Sequence, residues 1–180
     1  MLVGLTGRNA SGKTTVVQWF ASRGIQTLSC SDSIRRWLSE EGIKETRESL
    51  IEGGRELRRR GGAGVLAEML LQELSGDDAV IDSIRTPGEV EALRVRDDFV
   101  LIEVRAGADS RWQRSKERAR PGDPSDRAAF ISQEAEEEVA LDAAGQALVA
   151  TAEMADLILF NVGSIEDLHG DLVDLIGRLP

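Results

Sequence analysis

The segment Gly7-Arg8-Asn9-Ala10-Ser11-Gly12-Lys13-Thr14 satisfies the pattern G-x-x-x-x-G-K-S/T at every position and follows directly on the apolar run Leu2-Val3-Gly4-Leu5. Its two glycines let the backbone curl into a concave nest of N–H groups, and a helix starting behind it aims the positive end of its dipole into that nest. The pattern therefore predicts a strand, a phosphate-binding loop and a helix in succession. Gly7, Asn9, Ala10, Ser11, Gly12, Lys13, Thr14 and Thr15 are expected to hold a nucleoside triphosphate. Lys13 would reach its β- and γ-phosphates, and the Thr14 hydroxyl would ligate Mg²⁺.

With 180 residues, 41% of them apolar, the chain has the length of a single domain, 1–180, and enough material for a core. A formal charge of −10 argues against general nucleic-acid binding, which is supplied by net positive surface. One cysteine and one histidine leave neither a disulfide framework nor a zinc site. The first strand starts at once, with no charged leader, and no run reaches the roughly 18 apolar residues of a membrane span. The reading is a cytoplasmic protein with neither a membrane nor a nucleic acid as partner.

Along the chain, apolar runs at Leu2–Thr6, Ile25–Ser29, Ala79–Ile81, Phe99–Val104 and Leu157–Phe160 read as buried strands. Between them fall helical patterns: Gly12 to Ser22; a helix capped by Ser31 or Asp32 through Ile34, Trp37 and Leu38; Thr46 to Arg60; Ala63 to Leu74; and Pro87 to Arg94. A helix capped by Asp109 carries Arg111, Arg114, Lys116, Arg118 and Arg120 into the loop Pro121-Gly122-Asp123-Pro124. Ser125 to Ala152 reads as one further helix whose glutamates Glu134, Glu136, Glu137 and Glu138 form a solvated face. Ile165, Leu168, Leu172, Leu175, Ile176 and Leu179 mark a last amphipathic helix. Alternating strands and helices imply a parallel sheet covered on both faces, with ligands at the carboxyl ends of its strands. Asp32, Asp82 and the phosphate loop all lie at such ends.

Two segments after strands carry paired charges. Ser29-Cys30-Ser31-Asp32-Ser33-Ile34-Arg35 is similar to the S-T-G-D-x-L/I-R stretch of adenylate kinases, and Ile81-Asp82-Ser83-Ile84-Arg85-Thr86-Pro87 to their D-G-F/Y-P-R-T stretch. Val80 to Arg85 also resembles the V-I-D-G-I-R of dephospho-CoA-kinase-like enzymes, and Asn161-Val162-Gly163-Ser164-Ile165-Glu166-Asp167-Leu168 their N-D/E-G-S/T-L/I-E-E-L turn. The resemblance to small nucleoside monophosphate kinases spans nearly the whole chain, with Ser83 where glycine is usual and Val162 where an acid is common.

The resemblance implies a three-layer α/β P-loop fold with strand order 2-3-1-4-5, a helical acceptor-binding insertion at about 32–75 and a short lid at about 118–127. It places Arg35 and Arg85 on the acceptor's phosphate, Asp82 near Mg²⁺ or its waters, Asp32 near the reacting phosphates, and Asn161 and Gly163 beside the donor adenine. Arg118 and Arg120, closest to the loop, become the lid arginines, while Arg111, Arg114 and Lys116 read as a solvated helix face. Elementary electrostatics points the same way, since arginine at a helix start is unfavourable without an anion and its fork matches a phosphate.

In the middle stretch, Arg55, Arg58 and Arg59 either contact an anionic acceptor or are solvated, and Gly53-Gly54 marks either a close approach to the backbone or a helix break. Trp19, Trp37 and Trp112 read as packing residues, Trp37 alternatively as a wall for an acceptor base; His169 falls on the exposed side of the last helix, and Cys30 reads as a small buried residue. The expected function is ATP- and Mg²⁺-dependent phosphoryl transfer to a small phosphate-bearing acceptor, a (deoxy)nucleoside monophosphate or a dephospho-CoA-like metabolite. The alternatives are an NTP-hydrolysing switch or a nucleotide-binding module acting through a protein partner. A guanine-specific switch would carry N-K-x-D, which Asn161-Val162-Gly163-Ser164 lacks.

Overall fold

The computed structural model describes residues 1–119, 123–139 and 144–177. Five short apolar runs pair into one parallel sheet: β1 (Leu2–Thr6), β2 (Gln26–Ser29), β3 (Ala79–Asp82), β4 (Phe99–Arg105) and β5 (Leu157–Phe160), in the order β2-β3-β1-β4-β5. This is the expected topology. α1 (Lys13–Ala21) joins β1 to β2; α2 (Cys30–Glu40), α3 (Arg47–Gly61) and α4 (Val65–Leu71) lie between β2 and β3; α5 (Pro87–Leu93) leads to β4. α6 (Ala108–Arg118), α7 (Arg127–Glu138) and α8 (Leu148–Glu153) precede β5, and α9 (Ile165–Ile176) follows it. β1 is central, so chain leaving it passes first to the β3 side and later to the β4 side. The crevice that this reversal opens at the carboxyl end of β1 holds the phosphate loop.

The side-chain period of two divides the core. Leu2, Ile81 and Leu101 face a layer of α2, α3, α4 and α5 through Ile34, Leu38, Leu66, Leu70, Val90 and Leu93. Val3, Leu5, Val80, Ile102 and Val104 face α1 and α9 through Val16, Trp19, Phe20, Leu168 and Leu172. Among the described residues no helix is long and apolar enough to cross a membrane.

Several local expectations are corrected. Ser29, not Ser31 or Asp32, caps α2: strand runs straight into helix, and the extended Ser29 accepts from the Ser31 amide. Gly107 occupies the cap position of α6, which leaves Asp109 inside the first turn. The long acidic helix is two helices, because Asp126 caps α7, Val139 turns extended, and the Ala147 amide donates to the Arg85 carbonyl at 2.9 Å. Nor is its face wholly solvated: Glu134 and Glu137 share a buried stripe with Phe130. α3 is continuous through Gly53-Gly54; a Cβ on Gly53 would lie 3.0 Å from Ile34 and 3.2 Å from Trp37, so what approaches this backbone is α2.

Candidate active site

The phosphate loop owes its shape to two positions that tolerate no side chain. Gly7 has φ +132, and a Cβ there would sit 2.4 Å from the Val104 carbonyl; Gly12 has φ +107, and its Cβ would meet the Asn161 amide nitrogen at 2.0 Å. Ala10 also adopts positive φ, at 58°, which costs a non-glycine residue about 1 kcal/mol. The Ser11 amide closes the turn on the Arg8 carbonyl, and the Thr15 and Val16 amides start α1 on Gly12. Lys13 folds back over its own loop, donating from Nζ to the Gly7 carbonyl at 2.6 Å and the Arg8 carbonyl at 3.0 Å. Burial lowers its pKa to about 8, with neighbouring Asp82 opposing that shift.

Behind the loop stands a brace. Asn161 Nδ2 donates to the Ser11 carbonyl at 2.9 Å. Arg114, expected on a solvated face, instead donates to the Ser11 carbonyl and to both oxygens of Asn161. Asn161 thus touches the loop's backbone. Gly163 lies just outside α9, where Ser164 and Asp167 form a reciprocal cap. Arg111 is buried against Glu134, and burial lowers its pKa to about 10. At the loop's rim, Arg118 donates to Asn9 Oδ1 at 2.9 Å and to both oxygens of Asp123. Arg120 lies outside the described residues, as do 121–122 of the expected lid.

β3 delivers Asp82 beside the loop, and Asp82 Oδ1 is buried without a hydrogen-bond partner among the described residues. A buried carboxylate oxygen and the exposed Thr14 hydroxyl are hard oxygen donors of the kind Mg²⁺ takes, so these residues fit that ion. Ser83 follows at φ +64, which accounts physically for the glycine usual in the resembling segments. Its hydroxyl contacts Asp82 Oδ2 and Ser31 Oγ. Thr86 and Glu89 cap α5 reciprocally, and the fully buried Glu89 accepts from the Arg85 and Thr86 amides and from Arg58 Nε and Nη2.

Next to the loop opens a cavity of about 500 Å³ whose lining includes Asn9, Ser31, Arg35, Arg47, Arg58, Ser83, Arg85, Arg118, Glu137 and Gln146. Arg85 Nη1 donates to Glu137 Oε2 at 3.0 Å and to Gln146 Oε1 at 2.9 Å, and Arg47 donates to Glu137 Oε1. Arg35 is gripped at the exposed edge by Asp32 at 2.7 Å and Glu45 at 2.9 Å. Asp32 does not line the cavity, nor does Arg55, which stands 4.0 Å from Glu52. Arg59 and Arg60 pair with glutamates of their own helix. Cys30 is buried, which raises its thiol pKa well above the ordinary value.

Sequence reasoning missed Arg47, Glu137, Gln146 and Glu89. The first three carry no local motif, although Phe130, Glu134 and Glu137 recur at helical spacing. Thr86-Pro87-Gly88-Glu89 is a readable capping box.

Sheet order and phosphate loop define a three-layer α/β P-loop fold, and solved structures of kinases share it. Shikimate kinase from Acinetobacter baumannii, solved in complex with shikimate, matches with a TM-score of 0.65 at 20% identity, over 99% of this chain and 95% of that one. A gluconokinase from Sinorhizobium meliloti matches with a TM-score of 0.59 at 13% identity, over 98% and 91%. In sequence, the chain is similar to the UPF0200 protein of Hyperthermus butylicus, 28% identical over 99% of this chain and 95% of that protein. No protein-family model matches.

Proposed function

We propose that the chain is an ATP-dependent phosphotransferase whose acceptor is a small phosphate-bearing molecule, a (deoxy)nucleoside monophosphate or a dephospho-CoA-like metabolite. The observation that carries the reading is that one cavity is bounded both by Asn9 of the phosphate loop and by Arg35, Arg47 and Arg85. Transfer between two anions requires their approach in line against mutual repulsion, and cations around the moving group supply most of what a protein adds. The solved neighbours are named for shikimate and gluconate, so the fold alone does not choose the acceptor; the arginines favour an anionic one.

In this reading the loop amides and Lys13 hold the β- and γ-phosphates, and the Asn161–Arg114 brace keeps the loop in shape. Thr14 and Asp82 hold Mg²⁺, which when bound neutralises charge on the donor phosphates. Arg118 approaches the transferring group from the rim, the lid role of Arg120 rests on the family resemblance alone, and Arg85 and Arg35 orient the acceptor. Asp32 acts through Arg35, whose guanidinium it holds. The test is ADP release with ATP and Mg²⁺ against AMP, CMP, UMP, GMP, their deoxy forms and dephospho-CoA. ADP release strictly dependent on one acceptor is expected; slow release independent of every acceptor would replace the kinase by a switch.

A further inference from the structure

The acceptor side of the cavity carries a contact that the reading above does not use. The Glu137 carboxylate, 7% exposed, lies between two guanidinium groups, one oxygen on Arg47 and the other on Arg85. Resting on the phosphotransfer reading, we infer that Arg47 and Arg85 form a single clamp for one compact dianion, the phosphate monoester of the acceptor, and that Glu137 is the resident anion which this phosphate replaces.

Three observations carry it. First, the charges do not balance: two guanidinium cations share one carboxylate, leaving about one positive charge inside a partly buried wall, which a dianion would neutralise. Second, the geometry suits a phosphate, whose terminal oxygens can serve both forks at once where the carboxylate offers one oxygen to each. Third, Glu137 is placed to leave. Its counterpart Glu89 also binds a paired arginine but is locked by two backbone amides, whereas among the described residues the polar partners of the Glu137 carboxylate are the two guanidinium groups. Gln146, on Arg85 Nη1, retains that arginine's position when the carboxylate withdraws. The neighbouring Glu138 pairs with Arg8 of the phosphate loop at 2.6 Å, so the last turn of α7 puts one carboxylate on each side of the site. A monocarboxylate acceptor matches Glu137 only in charge and gains nothing by displacing it.

The test is equilibrium dialysis of labelled inorganic phosphate against the full-length Lys13→Ala protein, in which the phosphate loop is disabled. Adding Glu137→Gln is expected to tighten phosphate binding about tenfold or more, as removal of a competing charge from two close cations implies. Arg47→Ala is expected to abolish that gain, and acetate at equal concentration not to compete. Phosphate binding unchanged by Glu137→Gln, or insensitive to Arg47→Ala, would overturn the clamp. A reading that leaves Glu137 intact is thermal protection of Lys13→Ala by phosphate, expected to vanish in Arg47→Ala; its absence in the Lys13→Ala protein would equally overturn it. The two levels separate cleanly. Clamp binding without any acceptor-dependent ADP release sinks the phosphotransfer reading alone, whereas ADP release indifferent to Arg47→Ala sinks the clamp alone.

Discussion

The turn of the phosphate loop is set by glycines and backbone bonds within eight positions of one another, with Asn161 and Arg114 bracing it from outside, whereas the arginine cavity depends on pairs 52 and 90 residues apart, Arg85 with Glu137 and Arg47 with Glu137. In the proposed reading backbone amides hold the donor, and two glycines at positive φ make the fold of the loop nearly compulsory. On the acceptor side of that reading side chains do the holding, with Arg47 and Arg85 sharing Glu137 of another helix and Arg35 held by Asp32 of its own helix and by Glu45. On the reading proposed above, the donor half is a fixed mould, while the acceptor half is a set of ion pairs that a substrate must rearrange.

Lys13→Ala should have the largest effect, lowering acceptor-dependent ADP formation about a thousandfold, the loss associated with deleting a preorganised cation or donor at developing charge. Near-normal turnover would detach the loop from the chemistry. Arg85→Ala should raise the KM for the acceptor about a hundredfold while ATP affinity, read by calorimetry, stays within about threefold. If instead ATP affinity collapsed and the acceptor bound normally, the division into donor and acceptor halves would be wrong.

Asn161→Ala sharpens the donor half without touching Arg47 or Arg85. It removes the amide that donates to the Ser11 carbonyl, and about a tenfold loss of ATP affinity is expected, the worth of one buried hydrogen bond. A change confined to acceptor KM would refute its placement as a loop brace.

The smallest effect is a pH dependence. Burial puts Lys13 at about 8 in the free protein, and bound phosphates favour its charged form. ATP affinity should therefore be level below about pH 7 and decline as pH rises past 8, by up to about tenfold per unit until the complex deprotonates as well. The same lowered value means that the unfolded chain holds this proton more tightly, so the group's own contribution to stability rises from pH 8 towards its unfolded value of 10.5. An affinity profile flat through pH 9 would remove Lys13 from the binding step.

How far the sequence could be read follows the same division. Strand positions and the parallel sheet were legible because short apolar runs alternate with helical patterns, the strand order only through the resemblance to small nucleotide kinases, and the loop because its glycines admit few backbone shapes. Arg85 was legible as a charge at a strand end. What holds it was not: Glu137 sits in an acidic run that reads as solvent-facing, and its burial depends on α7 ending at Glu138 and packing through Phe130. Arg114 failed in the same manner, since helical spacing shows that a residue is polar but not that a turn some 47 residues on, at Asn161, waits for it. Ser83 was legible only as a departure from a pattern, and its positive φ gives the reason for that pattern.

The most direct test of the account follows the γ-phosphate itself. Wild-type protein is incubated with Mg²⁺ and ATP labelled at the γ position together with each phosphate-bearing acceptor of the panel, and the label is resolved by chromatography. The account predicts label in a product built on one acceptor, and its loss in Arg85→Ala. Label found only in free inorganic phosphate, at a rate that no acceptor alters, would contradict it.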